Sequence, residues 1–474
     1  MARVWVLVAV AGVLAATGLV LSPVAGAFAC GLGLVLGVLA FQLAQGGGRR
    51  LPPWIIAAGA ATVGLGGAWA VGGAVVSGLI AGLLGLVVFS TGAQASLFQD
   101  ALPDGVELPD PLSLRTQAAV AIDESLRLLW AVTAMASPPP KSATLVEDLR
   151  AAAERHREAG ILDDPAVAHP RPPALEKVSL VSTPVWGAGR AELLRFESEY
   201  EPRDPEIRDR YIAVEPNRTA HVHLWRHGDR PRPTLICLHG YGMGRIGWDA
   251  RAFDVDGLHR KLGLDVAVPT LPLHGPRAIG RRSGAGFLDD HPLQTNAAFG
   301  QAIWDLRRLA GWLRQQGAPA VGVYGMSLGG YLTALWASLD ADLACAIPSI
   351  PLVALQDLME RDLRPEERRA REAGGISAQV WRDVWAPHSP LAHKPRVSKE
   401  ASLILAARAD RICPPSQAHA LWEHWDRPSI HWTPGSHLVP IGRRETRERL
   451  AHHLETTLVA AATPTLSKFR RVQA

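Results

Sequence analysis

The sequence of 474 residues predicts an α/β domain, a mostly parallel sheet with helices on both faces, preceded by a transmembrane helical segment. Three observations favour this fold class. Short apolar, β-prone runs alternate with helical patterns in the C-terminal three-fifths of the chain. One of these runs leads through a glycine-rich turn directly into a helix. Residues 1–99 carry only three charged side chains, which is typical of membrane-spanning helices.

The N-terminal segment contains four apolar runs, each about long enough to cross a bilayer core. These runs are Val4–Leu21, Val24–Ala44, Trp54–Val71 and Ala74–Ser90. We therefore predict about four transmembrane helices in residues 1–91. The spacings Gly33-x-x-x-Gly37 and Gly78-x-x-x-Gly82 predict close packing between them. A cleaved signal peptide is the alternative for the first run, although three further apolar segments follow it.

The positions of the arginines predict the orientation of this segment. Arg3 precedes the first run, and Arg49 and Arg50 lie between the second and the third. The positive-inside rule places both sites in the cytoplasm, so an even number of spans returns the rest of the chain there. We expect a multi-pass membrane protein whose C-terminal domain lies on the cytoplasmic side, in contact with membrane lipids.

The charge balance excludes one class of partner. Removing the three N-terminal arginines from the 49 basic residues leaves 46, against 45 acidic residues. Since the rest of the chain is nearly neutral, nucleic-acid binding has no electrostatic support. Four cysteines without paired or metal-ligand spacing indicate neither a disulfide framework nor a metal site. We expect no cofactor.

The stretch Gly325-Met326-Ser327-Leu328-Gly329 carries the strongest chemical signal. An apolar β-prone run precedes it and a helical pattern follows it. A strand, a glycine-rich turn and a helix hold a serine in the strained, exposed position of a nucleophile elbow. A serine hydroxyl is a weak nucleophile at neutral pH, so it needs a histidine base and an acid that orients this base.

Both partners follow in the sequence. Asp410 lies in the loop after the predicted strand Ala401–Ala407, and His437 in the loop after Ser429–Thr433. Asp357 and Asp362, which follow an earlier strand, are the competing candidates for the acid. The chain order Ser327, Asp410, His437 is that of α/β-hydrolases. In these motifs the sequence resembles the α/β-hydrolase superfamily.

This resemblance implies further roles. The strand Pro233–Leu238 runs into a His-Gly loop that supplies one amide of an oxyanion hole in the family, assigned here to Tyr241 with Gly242 as the alternative. The second amide is that of Leu328. The segment 353–398 corresponds to the family's cap insertion over the active site. The domains are then 1–91 (membrane), 92–175 (linker and helical hairpin), 176–463 (hydrolase) and a tail, 464–474.

Four residues are candidates for substrate binding. Gly242 and His274 lie in loops at the ends of predicted strands, where α/β proteins place their sites. Trp381 and Trp385 are four residues apart and share one face of a predicted cap helix. They line an apolar acyl pocket, or they fasten the cap to the core. Both interpretations remain open.

The sequence therefore predicts a membrane-anchored serine hydrolase that cleaves a carboxylic ester, with a small-molecule or lipid ester as substrate. The alternatives are a peptidase, thioesterase or acyltransferase with the same triad, or a non-catalytic membrane scaffold of the same fold.

Overall fold

The computed structural model describes residues 6–13, 23–44, 50–72, 74–136, 144–228, 230–288, 291–361 and 365–462. The chain forms two compact units, and we describe each by itself. The first unit comprises Met1–Pro139, Ala407–Ser416 and Trp432–Gly442. The second comprises Pro140–Ala406, Gln417–His431 and Arg443–Ala474. The first unit thus contains two short segments that come from far along the chain.

The first unit is helical. Its helices are α1 (Pro23–Ala44), α2 (Pro52–Val71), α3 (Val75–Leu97) and α4 (Leu114–Ala136). Residues 6–13 are helical as well. Three predicted apolar runs correspond to α1, α2 and α3, while 4–5 and 14–21, in the first run, lie outside the described residues. Only α2 and α3, among the described helices, are long and apolar enough to cross a membrane.

Helices α2 and α3 pack backbone against backbone through glycines. A Cβ on Gly66 would lie 2.5 Å from the Gly82 nitrogen, and one on Gly85 would lie 2.6 Å from the Val63 nitrogen. The glycines whose Cβ would collide in this way recur every seven residues, at Gly59 and Gly66 on α2 and at Gly78, Gly85 and Gly92 on α3. Of the predicted pair, Gly78 is one of these glycines. A Cβ on Gly82 would meet nothing within 4 Å, although the Gly82 backbone lies against Gly66.

Large aliphatic side chains of the same hairpin face outward. Val76, Leu79 and Leu83 on α3 are 72%, 61% and 64% exposed. A soluble helical hairpin buries its large apolar residues and exposes polar ones, whereas helices in lipid pack through small residues. The hairpin follows the second pattern.

Substitutions at two neighbouring glycines test this packing. Both Gly66→Ala and Gly67→Ala gain the helix propensity of alanine, but only the Cβ on Gly66 collides, since the one on Gly67 meets nothing within 4 Å. We expect Gly66→Ala to lower the free energy of unfolding by about 1–3 kcal/mol, measured as thermal unfolding in detergent. Gly67→Ala should leave it unchanged or raise it. Equal effects of the two changes would contradict the close helix contact.

The second unit is built around a sheet. Its strands are β1 (Ser179–Val185), β2 (Gly189–Glu197), β3 (Thr219–Trp225), β4 (Thr234–Leu238), β5 (Asp265–Pro269), β6 (Val321–Met326), β7 (Ala346–Ser349), β8 (Leu403–Ala407) and β9 (Ser429–Thr433). Their order in the sheet is β1-β2-β3-β5-β4-β6-β7-β8-β9. The ends of β8 and β9 lead into the two segments that belong to the first unit.

The pairing of the strands confirms the predicted fold class. The three pairs β1–β2, β2–β3 and β3–β5 are antiparallel. The pairs β4–β5, β4–β6, β6–β7 and β7–β8 are parallel. The parallel strands β4 and β5 are buried along their full length. This is expected because helices cover both faces of a parallel sheet. A mostly parallel sheet with helices between its strands, β1 being an added edge strand, is the α/β-hydrolase-like fold.

The helices of the second unit connect these strands. They are α5 (Leu145–Glu158), α6 (Pro205–Ile212), α7 (Ile246–Ala252), α8 (Pro292–Gln315), α9 (Leu328–Leu339), α10 (Leu355–Arg361), α11 (Pro365–Ala373), α12 (Ala378–Trp385), α13 (Pro415–His424) and α14 (Arg443–Leu454). The first residues of α13 belong to the first unit. Helices α10 to α12 lie in the predicted cap insertion. Helix α5 belongs to the second unit and α4 to the first, and the predicted tail lies outside the described residues.

Candidate active site

In the second unit, Ser327 occupies the sharp turn between β6 and α9. Its backbone has φ 55° and ψ −113°, a conformation that costs a non-glycine residue about 1–3 kcal/mol. Two glycines make this turn possible, because a Cβ on Gly325 would overlap the carbonyl oxygen of Gly329, and one on Gly329 that of Leu238. The Ser327 amide donates to the Ser349 carbonyl at 2.9 Å, which ties the turn to the end of β7. The strand, turn and helix predicted around Ser327 are present, and its role as the nucleophile stays a prediction.

The amide of Leu328 lies at the start of α9, where helical N–H groups have no acceptor within the helix. Developing negative charge is favoured at such a helix N-terminus. This position suits the oxyanion-hole role predicted for Leu328.

The loop that contains Tyr241 follows β4, which pairs with β6 in parallel so that Leu238 lies opposite Gly325. The loop passes close to the nucleophile, since a Cβ on Gly240 would lie 3.5 Å from the Ser327 Cβ. It turns through Tyr241 and Gly242, and Gly242 has φ 77°. The hydrogen bond that closes this turn, from the Met243 amide to the Gly240 carbonyl at 3.3 Å, uses neither of the two candidate amides. The choice between Tyr241 and Gly242 stays a prediction.

His274 packs against this loop through the ring of Tyr241. It is fully buried, and its ring contacts those of His239 and Tyr241 at centroid distances of 5.0 and 5.8 Å. Its Nδ1 lies 2.8 Å from the Pro272 carbonyl, to which it donates, so Nε2 carries the lone pair. Burial lowers the pKa of His274 to about 4, which keeps the ring neutral. Its substrate contact stays a prediction, because the ring is covered by its neighbours.

Trp381 and Trp385 lie on α12 with their rings in edge contact at a centroid distance of 5.7 Å. Both are at least nine-tenths buried. The helix is held at its end by the Asn296 side-chain amide, which donates to the Val384 carbonyl at 2.7 Å. His156 Nδ1 lies 2.9 Å from the Asp383 carbonyl. These contacts favour the fastening role of the two tryptophans, and their role in substrate binding stays a prediction.

The predicted acid and base meet in the first unit. Asp410 Oδ2 lies 2.7 Å from His437 Nδ1, on the loops after β8 and β9. The other carboxylate oxygen of Asp410 accepts the amides of Ile412 and Cys413 at 2.9 and 2.7 Å. Both oxygens are therefore occupied, and the carboxylate has one orientation. His437 donates from Nδ1, which leaves its Nε2 as the proton acceptor that a serine nucleophile requires.

The electrostatics of this pair suit a general base. Burial opposes a positive charge on His437, but the Asp410 carboxylate outweighs it and raises the pKa of the imidazole well above its usual value. The proton taken from a nucleophile is thus stabilised on His437. Of the competing acids, Asp357 lies on the surface of α10 and Asp362 lies outside the described residues.

Asp123, a fully buried residue of α4, is not among the site residues predicted from the sequence. Its carboxylate accepts the His437 amide at 2.8 Å and the Arg411 amide at 3.1 Å. The signal in the sequence was Asp123-Glu124 directly after the apolar stretch Ala118–Ile122, on the same helix. Acids rarely lie on an apolar helix face unless buried donors meet them.

No protein-family model matches this chain. It is 36% identical over 314 residues to Uncharacterized protein MT2702 of Mycobacterium tuberculosis (strain CDC 1551 / Oshkosh), which covers 65% of this chain and 74% of that protein. It is 38% identical over 265 residues to Uncharacterized protein Rv2627c of Mycobacterium tuberculosis (strain ATCC 25618 / H37Rv), which covers 55% of this chain and 63% of that protein. The chain thus spans less than two thirds of the second relative.

Solved structures with a related course of the chain include two esterases. Acetyl xylan esterase from Paenibacillus sp. R4 is 16% identical and covers 67% of this chain and 96% of its own, with a TM-score of 0.44. Acetyl xylan esterase 1 from Thermoanaerobacterium sp. JW/SL YS485 is 18% identical. The match covers 67% of this chain and 95% of the esterase chain, with a TM-score of 0.42. The fold of the present chain is assigned from its own sheet order and nucleophile turn.

Proposed function

Within the family of the mycobacterial protein MT2702, to which this chain belongs, we propose that this protein is a membrane-attached serine hydrolase that cleaves carboxylic esters. The observation that supports this most directly is the left-handed backbone of Ser327 in a strand–turn–helix. A backbone strained in this way persists at functional sites because the surrounding structure holds it. The paired Asp410 and His437 supply the base that such a serine needs.

The reaction proceeds through an acyl-enzyme. Ser327 Oγ attacks the ester carbonyl carbon while His437 Nε2 takes the hydroxyl proton, and the amides of Leu328 and Tyr241 stabilise the oxyanion. The intermediate collapses, the C–O bond to the alcohol breaks, and the alcohol leaves with the proton from His437. A water molecule, deprotonated by His437, then attacks the acyl carbon and releases the acid and Ser327.

An ester with a lipophilic acyl group is the substrate class we favour. The hairpin of α2 and α3 exposes large aliphatic side chains, and a protein attached to a bilayer meets substrates that are dissolved in it. Peptidase, thioesterase and acyltransferase activity use the same groups, and a non-catalytic scaffold shares the fold, so the test includes all four.

Full-length protein in detergent micelles tests the activity. It is assayed with nitrophenyl esters from acetate to palmitate, with the thioester and the anilide of one acyl group, and with an alcohol as alternative acceptor. We expect the esters to be hydrolysed fastest, with a preference for medium or long chains, and Ser327→Ala serves as the blank. Faster cleavage of the anilide or thioester would point to a peptidase or thioesterase. Turnover of none of them would favour a scaffold.

The orientation of the membrane segment is part of the same proposal. We propose four spans in residues 1–91, with Arg3, Arg49 and Arg50 on the cytoplasmic side. A reporter that is active only in the cytoplasm, fused after Ala474, should then be on. Because so few charges set the orientation, replacing Arg49 and Arg50 with glutamate should mix the two orientations. A reporter that is active only outside the cytoplasm would contradict the proposal if it were on in the unmodified protein.

A further inference from the structure

We propose that Asp123, on α4, is a positioning residue of the acid–base pair Asp410 and His437. This proposal rests on the proposed function, since it concerns the base and acid of that reaction. The carboxylate of Asp123 joins the two loops that carry His437 and Asp410. It acts through backbone amides of both loops and through the hydroxyl of Ser436.

The contacts of Asp123 divide evenly between its two oxygens. Oδ2 accepts the amide of His437 at 2.8 Å and that of Arg411 at 3.1 Å. Oδ1 accepts the amide of Leu438 at 3.0 Å and the hydroxyl of Ser436 at 2.9 Å. Three of these donors lie on the loop of His437 and one lies next to Asp410. One side chain therefore fixes the spacing between the acid and the base.

The hydrogen-bond donors around residue 123 explain why it is an aspartate and not an apolar residue. Burying a carboxylate costs several kcal/mol of desolvation free energy unless its oxygens accept hydrogen bonds. An apolar side chain at the same place on α4 would carry no such desolvation cost. Only an acceptor with two oxygens satisfies four donors from two loops at once. The chemistry of the site thus selects an aspartate, while packing alone does not.

A second set of contacts holds the acid's loop to the same helices. The Arg411 side chain is buried, and its Nη2 lies 2.7 Å from Asp100 Oδ2, just after α3 ends. Its Nε lies 4.0 Å from Glu124 on α4. Glu124 in turn accepts the hydroxyl of Ser96, in the last turn of α3. The residue after the catalytic acid is therefore fixed by α4 and by the end of the apolar hairpin.

The charge of Asp123 also acts on the base. The charged and titratable groups around it are Asp410, His437 and Arg411 on the two loops and Glu124 on its own helix. Burial and the negative charge of Asp410 raise the pKa of Asp123 to about 6, against the favourable effect of His437. Above this pH the Asp123 carboxylate stabilises the imidazolium of His437. Its removal lowers the pKa of His437.

The raised pKa of Asp123 also makes the free energy of unfolding depend on pH. The pKa of Asp123 is higher in the folded protein than its usual value of 3.8. The folded state therefore binds more protons than the unfolded state between these two values, and the free energy of unfolding falls as the pH rises from about 4 to about 6. Asp123→Asn should remove this part of the pH dependence.

The test compares the full-length protein with Asp123→Asn, and with Asp110→Asn as the matched control in the same segment, where the aspartate is exposed. Asparagine keeps the size of the side chain but puts an N–H₂ group against two of the four donors. We expect kcat to fall by roughly 10²-fold, the cost of a small misplacement of a catalytic group, while KM stays within about twofold. The acid limb of kcat/KM should move to lower pH. Asp110→Asn should change neither.

Three readouts separate the possible results. Stoichiometric fluorophosphonate labelling at a reduced rate, with the shifted acid limb, supports a positioning role. Unchanged kcat and an unchanged acid limb in a folded Asp123→Asn variant would overturn it. Absence of labelling in the wild-type protein would instead remove the proposed function. If Asp123→Asn does not fold, Ser436→Ala removes one of the four bonds, and a smaller fall in kcat with the fold intact supports the role, whereas no change overturns it.

Discussion

Ser327→Ala is expected to abolish covalent labelling by a fluorophosphonate and to lower kcat for ester hydrolysis by roughly 10⁶-fold. The residue provides the oxygen that forms the acyl-enzyme, so its loss removes the covalent route and leaves only the oxyanion hole and substrate binding. Alanine fits the turn, because the left-handed backbone of Ser327 is held by its glycine neighbours and by the bond from its amide to Ser349. Labelling is measured by intact-protein mass spectrometry.

The matched control for this variant is Ser338→Ala on α9, the helix that follows Ser327. Ser338 is buried and its hydroxyl donates only to the Ala334 carbonyl, at 3.0 Å. We expect its removal to leave labelling and kcat nearly unchanged. Equal labelling of the wild-type and Ser327→Ala proteins would show that another residue is the nucleophile, and the proposed reaction would then be wrong.

Asp410→Asn is expected to lower kcat by about 10⁴-fold with the fold intact. The oxygen of the asparagine side chain is needed by the amides of Ile412 and Cys413, so its N–H₂ group must face His437. His437 Nδ1 then becomes an acceptor and its Nε2 carries the proton. An imidazole in this tautomer cannot take the proton of Ser327.

Asp357→Asn on α10 is the control, since Asp357 was the competing candidate and is exposed. It should change kcat by less than about twofold. Steady-state kinetics at several pH values measures both variants, and circular dichroism checks their fold. A larger loss in Asp357→Asn than in Asp410→Asn would move the acid to the segment after β7.

Most of the candidate site could be predicted because its parts are local patterns. The elbow needs glycine at Gly325, where a Cβ would overlap the Gly329 carbonyl, and at Gly329, where a Cβ would overlap the Leu238 carbonyl, so the motif shows in the sequence. Asp410 and His437 follow directly after strands β8 and β9, which their apolar residues identify. The strand β1 escaped prediction because it lies at the edge of the sheet, where its mostly exposed residues leave no clear apolar alternation.

Two features of the N-terminal segment depended on tertiary contacts. The seven-residue glycine spacing in α2 and α3 competes in the sequence with the four-residue spacing of Gly78 and Gly82, and only the helix contact shows which glycines collide. The two loops after β8 and β9 belong to the same compact unit as these helices. Composition alone assigned the whole segment to the membrane and to a linker.

The sequence by itself determined the fold class, the nucleophile turn and the order of serine, acid and base, because backbone sterics and strand burial act between near neighbours. Only the tertiary structure decided that Asp123 lies against His437, since 314 residues separate them and their contact leaves no periodic trace in either segment. A buried acid in the sequence indicates that hydrogen-bond donors must lie near it. Which residues provide these donors is set only when the chain folds. The physical reason is that hydrogen bonds are short-ranged in space and indifferent to distance along the chain.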